Sequence, residues 1–211
     1  MSQLTLTSDP LGSATTGTFE FENPAFFMTG ATSQRGAVLV DQYTVLQATN
    51  TLTAGLVANT AQALFDVTGS GQVTLVAGTY EFECQFSLSS LSGSAGTFGF
   101  ALGGGATFTQ YWWALARKAA FTNTAGAVTL ATVVTTTYNT AANTALTDST
   151  SSTATTAFAR IHGVVIVTVG GTLIPQVSQS VTSVAAVVGI GSFFKIRALG
   201  SSAATTSGNW S

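Results

Sequence analysis

Two pairs of carboxylates stand two residues apart in this chain, Glu20 with Glu22 and Glu81 with Glu83. On an extended strand that spacing puts both side chains on one face, roughly 7 Å apart. A glycosidase acid–base pair tolerates such a distance. Those enzymes, however, bring their carboxylates from different elements into a cleft, and nothing around these pairs raises a pKa. They read as solvated strand faces. The single histidine, His162, lies in "ARIHGVV" beside Arg160. A Ser–His–Asp triad would need it, but any Ser-rich chain supplies such partners, and the pattern G-x-S-x-G is missing from the sequence. His162 reads as structural. Cys84, His162, Asp9, Asp41, Asp66 and Asp148 are too scattered to give a metal-ligand spacing. The glycine runs "ALGGGATF" and "GGTLIPQ" lack the Lys-Ser/Thr and the following helix of a phosphate cradle, and read as turns. No catalytic residue, cofactor or metal is expected. One cluster stays open to two readings. In "QYWW", Tyr111, Trp112 and Trp113 are candidate ligand or interface aromatics. Exposed, they would stack on sugar rings; otherwise they fill the core or a subunit interface, where aromatic rings are enriched.

Strands must position these side chains. "TYEFECQFSL" alternates Tyr80, Phe82, Cys84, Phe86 and Leu88 with Glu81, Glu83, Gln85 and Ser87. That is the period of a half-buried antiparallel strand, with Cys84 a small core filler on the inward face. "TFEFEN", "TFGFAL" and "FFKIRAL" repeat the pattern, the last setting Phe194 and Ile196 against Lys195 and Arg197. "IHGVVIVTV" is a nearly continuous β-branched run, which suits a strand covered on both sides. Turn signals separate these runs at 68–72, 92–96, 103–105, 123–126 and 170–171. Only "QYWWALARKAAF" offers a short helical pattern, and it serves equally as a strand edge. The spacing predicts one all-β domain, an antiparallel jelly-roll sandwich over 17–211, preceded by a polar arm at 1–16. At "VTVGGTLIPQVSQS", Gly170 and Gly171 should join two strands tightly, and Pro175 should avoid the middle of a central ladder. The Thr/Ala/Ser stretch 139–157 reads as an exposed loop or as a polar strand lying on a neighbour.

Composition limits what such a domain does. The chain has 211 residues, and only 7% are charged, with a net charge of −2. Small polar residues must therefore cover the surface, and little self-repulsion opposes association. Six scattered Lys and Arg give no phosphate-neutralising patch, so nucleic acid is not an expected partner. Mean hydropathy is +0.41. No window approaches the roughly 18 uninterrupted apolar residues of a membrane helix, so no membrane partner is expected either. The first ten residues lack the features of a signal peptide.

Several stretches carry a family likeness. "TGTFEFENPAFFMT…QRG", "VTLVAGTYEFECQFSLSSLSGSAGTFGFALGGG", "IHGVVIVTVGGTLIPQVSQS", "GSFFKIRALGSS" and "GNW" resemble jelly-roll modules of tailed-phage virion proteins. Those modules are similar to the trimeric globular heads of complement-type and tumour-necrosis-factor-type proteins. The resemblance spans roughly residues 17–210. It implies a homotrimer and a structural place on the virion, at the capsid or the tail surface, without catalysis. No Gly-X-Y stalk or coiled-coil heptads precede the domain. This favours a capsid decoration (cement) protein that binds itself and the major capsid protein or another virion protein, docked by its arm or its base. The alternative is the receptor-binding tip of a tail fibre or spike, whose partner would be a host-surface glycan.

Overall fold

The structure, a computed structural model, describes residues 41–52, 60–65, 71–94, 96–118, 146, 155–183 and 186–203. It also describes the backbone alone at 19–22, 25–29, 35–38, 134–138 and 144–145. The arm at 1–16 and the tail residue Trp210 lie outside the described residues, as does most of 139–157.

Every described element is a strand. In chain order they are β1 (Phe19–Glu22), β2 (Ala25–Thr29), β3 (Arg35–Val38), β4 (Asp41–Val45), β5 (Asn50–Thr51), β6 (Gln62–Ala63), β7 (Val73–Leu75) and β8 (Gly78–Ser89). They continue with β9 (Phe98–Gly103), β10 (Thr107–Lys118), β11 (Val134–Tyr138), β12 (Thr144–Ala145), β13 (Ala157–Val169), β14 (Gly171–Gln179), β15 (Val187–Val188) and β16 (Phe193–Gly200). All pairings are antiparallel. β1–β2–β3 form a small meander. The larger sheet runs β11–β10–β13–β8, and the far side of β8 carries β16 with β4 along one stretch and β15 with β5 along the next. The smaller sheet runs β12–β9–β14–β6, with β7 also on β14. The chain is an antiparallel β-sandwich, as the alternating pattern predicts.

Period-two alternation builds the core. Along β8, Tyr80, Phe82, Cys84, Phe86 and Leu88 are buried while their neighbours are only half-buried. Phe86 stacks on Phe100 at 6.4 Å and meets Phe98 edge-on at 6.3 Å. Phe100 in turn takes the edge of Trp112 at 5.4 Å. These rings link β8 and β10 of one sheet to β9 of the other. Each fully buried ring contributes about 2–3 kcal/mol of apolar transfer. Cys84 is fully buried among them, and burial pushes its thiol pKa well up, so it acts as a core filler. "QYWWALARKAAF" resolves as strand: β10 covers it to Lys118, whose buried ammonium donates to the carbonyls of Ser94 and Gly96 at 3.3 Å.

Three details depart from the pattern read in sequence. β9 is buried on both faces, because the small Gly99 and Ala101 are covered as fully as Phe98, Phe100 and Leu102. β13 is the reverse case. Its inward residues Ile161, Val165 and Val167 are buried, but Val164 and Ile166 on the outward face are only partly covered. Pro175 sits inside β14, opposite Leu102 of β9, and not at a strand end. Its missing donor falls where the other flank of β14 changes partner, between β7 at 171–173 and β6 at 176–177. There its carbonyl still accepts from the Leu64 amide at 2.8 Å. The glycine corner is as expected: Gly170 alone separates β13 from β14. A Cβ on Gly171 would lie 2.6 Å from the Ala106 amide nitrogen, so the close approach of the 103–106 turn requires glycine. In that turn Gly104 adopts φ +117° and would meet the Thr172 carbonyl with any side chain.

Trp112 and Trp113 supply a direct test of this alternation. Trp112→Ala should lower unfolding free energy by about 3–5 kcal/mol in urea titrations, as for a large core ring. Trp113→Ala, in the monomeric chain, should change it by under about 1 kcal/mol.

Candidate functional site

The outward face of the larger sheet gathers several of the side chains that sequence alone set apart. Antiparallel register lines them up in rows. Trp113 of β10 faces His162 of β13, which faces Glu83 of β8, then Lys195 of β16 and Tyr43 of β4. One row over stand Tyr111, Val164, Glu81, Arg197 and Asp41. The row on the other side holds Leu115, Arg160, Gln85, Phe193 and Val45. Among the described side chains, three Lys and Arg, three carboxylates and the single histidine therefore share one face.

Glu81 and Glu83 on this face are paired with the basic side chains around them. Glu81 accepts from Arg197 through Oε2, at 2.8 Å from Nε and 2.5 Å from Nη2. Its Oε1 lies 2.7 Å from His162 Nε2. Glu83 accepts from Arg160 at 2.7–2.8 Å and has the Lys195 ammonium at 3.5 Å. Each carboxylate thus lies between two basic side chains. Burial alone would push the Glu81 pKa up, but the hydrogen bonds from His162 and Arg197 and their charge outweigh it, and the carboxyl ends below its usual range. Neither glutamate is a solvated group, as the i, i+2 pattern had suggested. Their side chains keep only 24% and 17% of their exposure, beneath the basic side chains.

Large apolar groups flank the charges. Tyr43 is 73% exposed and Trp113 48%. Tyr111, Leu115 and Val45 stand out beside them. The imidazole of His162 meets the Trp113 indole edge-to-face at 4.5 Å. Trp113, Leu115, Arg160, His162 and Glu83 together line an open recess of about 380 Å³.

The aromatic triplet is therefore not one cluster. Tyr111 and Trp113 belong to this face, whereas Trp112 points into the core, is fully buried, and donates its indole N–H to Gln110 at 3.0 Å. Period two separates them, and the rule that sorted β8 applies equally to "QYWW". His162 lies on the outer face, between Glu81 and the Trp113 ring. Tyr43, Arg160, Lys195 and Arg197 were not singled out as site residues. The signal was there: Glu81/Glu83, Arg160/His162 and Lys195/Arg197 are three charged or ionisable pairs at i, i+2, each on its own strand. Only register brings them together. The Glu20/Glu22 side chains, Asp9, Asp66 and Asp148 lie outside the described residues. Among the described residues, no group of three or more His, Cys, Asp or Glu converges as a metal site would need. No family model, curated protein or solved structure matches this chain.

The Glu81 pairing has a pH signature. A carboxyl held below its usual range stabilises the fold fully above its unfolded value, near 4.5. That contribution is lost as pH falls through the lower folded value. Glu81→Gln should cost about 1 kcal/mol at pH 7, discounted for the exposure of its partners. The difference from wild type should shrink below pH 4.5 in denaturant titrations. A deficit that persists unchanged in acid would contradict the pairing.

Proposed function

We propose that this chain is a virion structural protein of a tailed phage, a homotrimer that decorates and stabilises the head. It acts by association and not by catalysis. The observation that carries the reading is the outer face of the larger sheet. A face built for water would carry solvated charges and polar side chains. This one carries exposed Tyr43, Tyr111, Trp113 and Leu115 around Glu81 and Glu83, whose charges are already paired with Arg160, Lys195 and Arg197. Burying an unpaired charge is expensive, whereas burying one that keeps its partners is far less so. Such a surface loses little when another chain covers it, and gains the burial of its aromatic groups. Five strands at about 4.8 Å make it roughly 24 Å wide, the scale of a standard interface. Low overall charge and the resemblance to phage jelly-roll modules support the same reading. In the assembly, neighbouring copies would cover this face, and the rest of the trimer would bridge capsid subunits.

A second reading keeps one specific observation. The recess beside Trp113 offers an aromatic wall, a carboxylate and a guanidinium side by side. A pyranose could stack on the indole and exchange hydrogen bonds with Glu83 and Arg160. That is the geometry a receptor-binding tail tip would use on a host glycan.

Two measurements decide. Light scattering should give a trimer for the wild-type chain and a monomer for the double variant Tyr43→Glu, Trp113→Glu, with the strand spectrum of both unchanged. A monomeric wild type would sink the self-association. Quantitative mass spectrometry of particles should find several hundred copies for decoration; a few trimers per particle would favour the tail tip.

A further inference from the structure

Strand β4 is an open flank of the sandwich. Among the described residues it pairs on one side only, with β16. Its inward positions, Gln42 and Thr44, lie opposite Ile196 and Phe194. A cleft of about 260 Å³ opens there, walled by Phe194, Ile196, Val73 and Pro175. Phe194 and Ile196 are core residues. The apolar interior is thus reached beside an edge that no described strand covers. Unpaired ladder groups and an apolar cleft next to them are two halves of one acceptor. An added strand would satisfy the backbone with its ladder and fill the cleft with alternate side chains.

The chain holds a matching donor in its own sequence. Residues 3–7 read Gln-Leu-Thr-Leu-Thr, with Leu4 and Leu6 alternating with polar neighbours and no proline or charge among them. On a strand the two leucines would point the same way, about 7 Å apart. Phe194 and Ile196 have the same i, i+2 spacing on the cleft wall. Residues 3–7 lie outside the described residues, so only their sequence enters here.

We propose that the free edge of β4 and its cleft accept residues 3–7 of a second copy of this chain. The donor is a second copy because the opposite face of β4 presents Tyr43 and Val45 to the proposed self-association surface. A neighbour would therefore already stand at this edge. The inference rests on that reading and gives the trimer a strand-exchange lock.

The experiment uses the full chain with a photo-crosslinking benzoyl-phenylalanine in place of Leu4, its light and ¹⁵N-labelled copies mixed while unfolded in denaturant and refolded together. Cross-links should fall on 42–44, 71–73 or 194–196, and light–heavy pairs should occur in the proportion of random mixing. Cross-links that join only like isotopes, land elsewhere or fail to form overturn the proposal. Light scattering on the same sample separates the two claims. A trimer with cross-links off the cleft removes the lock alone, whereas a monomer removes the self-association as well. Leu4→Asp with Leu6→Asp should weaken association by at least about tenfold. Unchanged association would also overturn the lock.

Discussion

Glu81 and Glu83 sit two residues apart on β8, each between two basic side chains drawn from the strands on either side. That pairing organises the outer face. It ties β13 to β8 through Arg160 and His162, and β16 to β8 through Lys195 and Arg197. It also fixes the imidazole against which Trp113 stands. The inward side of the same strand carries Phe82, Cys84 and Phe86, the centre of the core. One strand therefore sets both layers: its even-numbered residues hold the sheets together, and its odd-numbered ones neutralise the face that looks out.

The function proposed for this face follows from a mismatch between composition and cover. β13 has the β-branched sequence of a strand buried on both sides, with Val164 and Ile166 on its outward face. Among the described residues, the inward side is buried and the outward side only partly covered. Three strands away, on β4, Tyr43 stands 73% exposed. Folding one chain leaves this apolar surface exposed, and the paired charges between its halves remove the main penalty for covering it. The same logic holds at β4, where an unpaired edge adjoins a cleft walled by core residues. In the proposed assembly, a second copy would cover both features.

Much of the sandwich was legible in the sequence because side-chain period is a local property. Alternation alone sorted Phe82 from Glu81 on β8 and Phe194 from Lys195 on β16, and the glycine pair marked the β13–β14 corner. What was not legible depends on partners distant in sequence. No local pattern says that Glu83 faces both His162 and Lys195, so the charged face stayed three unrelated pairs. Cover on β9 comes from neighbours across the sheet, not from its own alternation. Pro175 is tolerated within β14 because two different short strands abut that flank and leave a gap at the proline nitrogen. The split between Trp112 and Trp113 was available from period two. It was obscured by the helical reading that the same stretch allows.

The central claim is that the outer face of the larger sheet is covered in the working protein. Hydroxyl-radical footprinting of the wild-type chain tests it most directly, comparing oxidation of Tyr43, Trp113 and Leu115 at high protein concentration and at dilution below association. The account predicts strong protection of all three at high concentration, lost together on dilution, with Val76 and Ile190, which are exposed elsewhere, oxidised equally in both. Equal oxidation of Tyr43 and Trp113 at every concentration would contradict it.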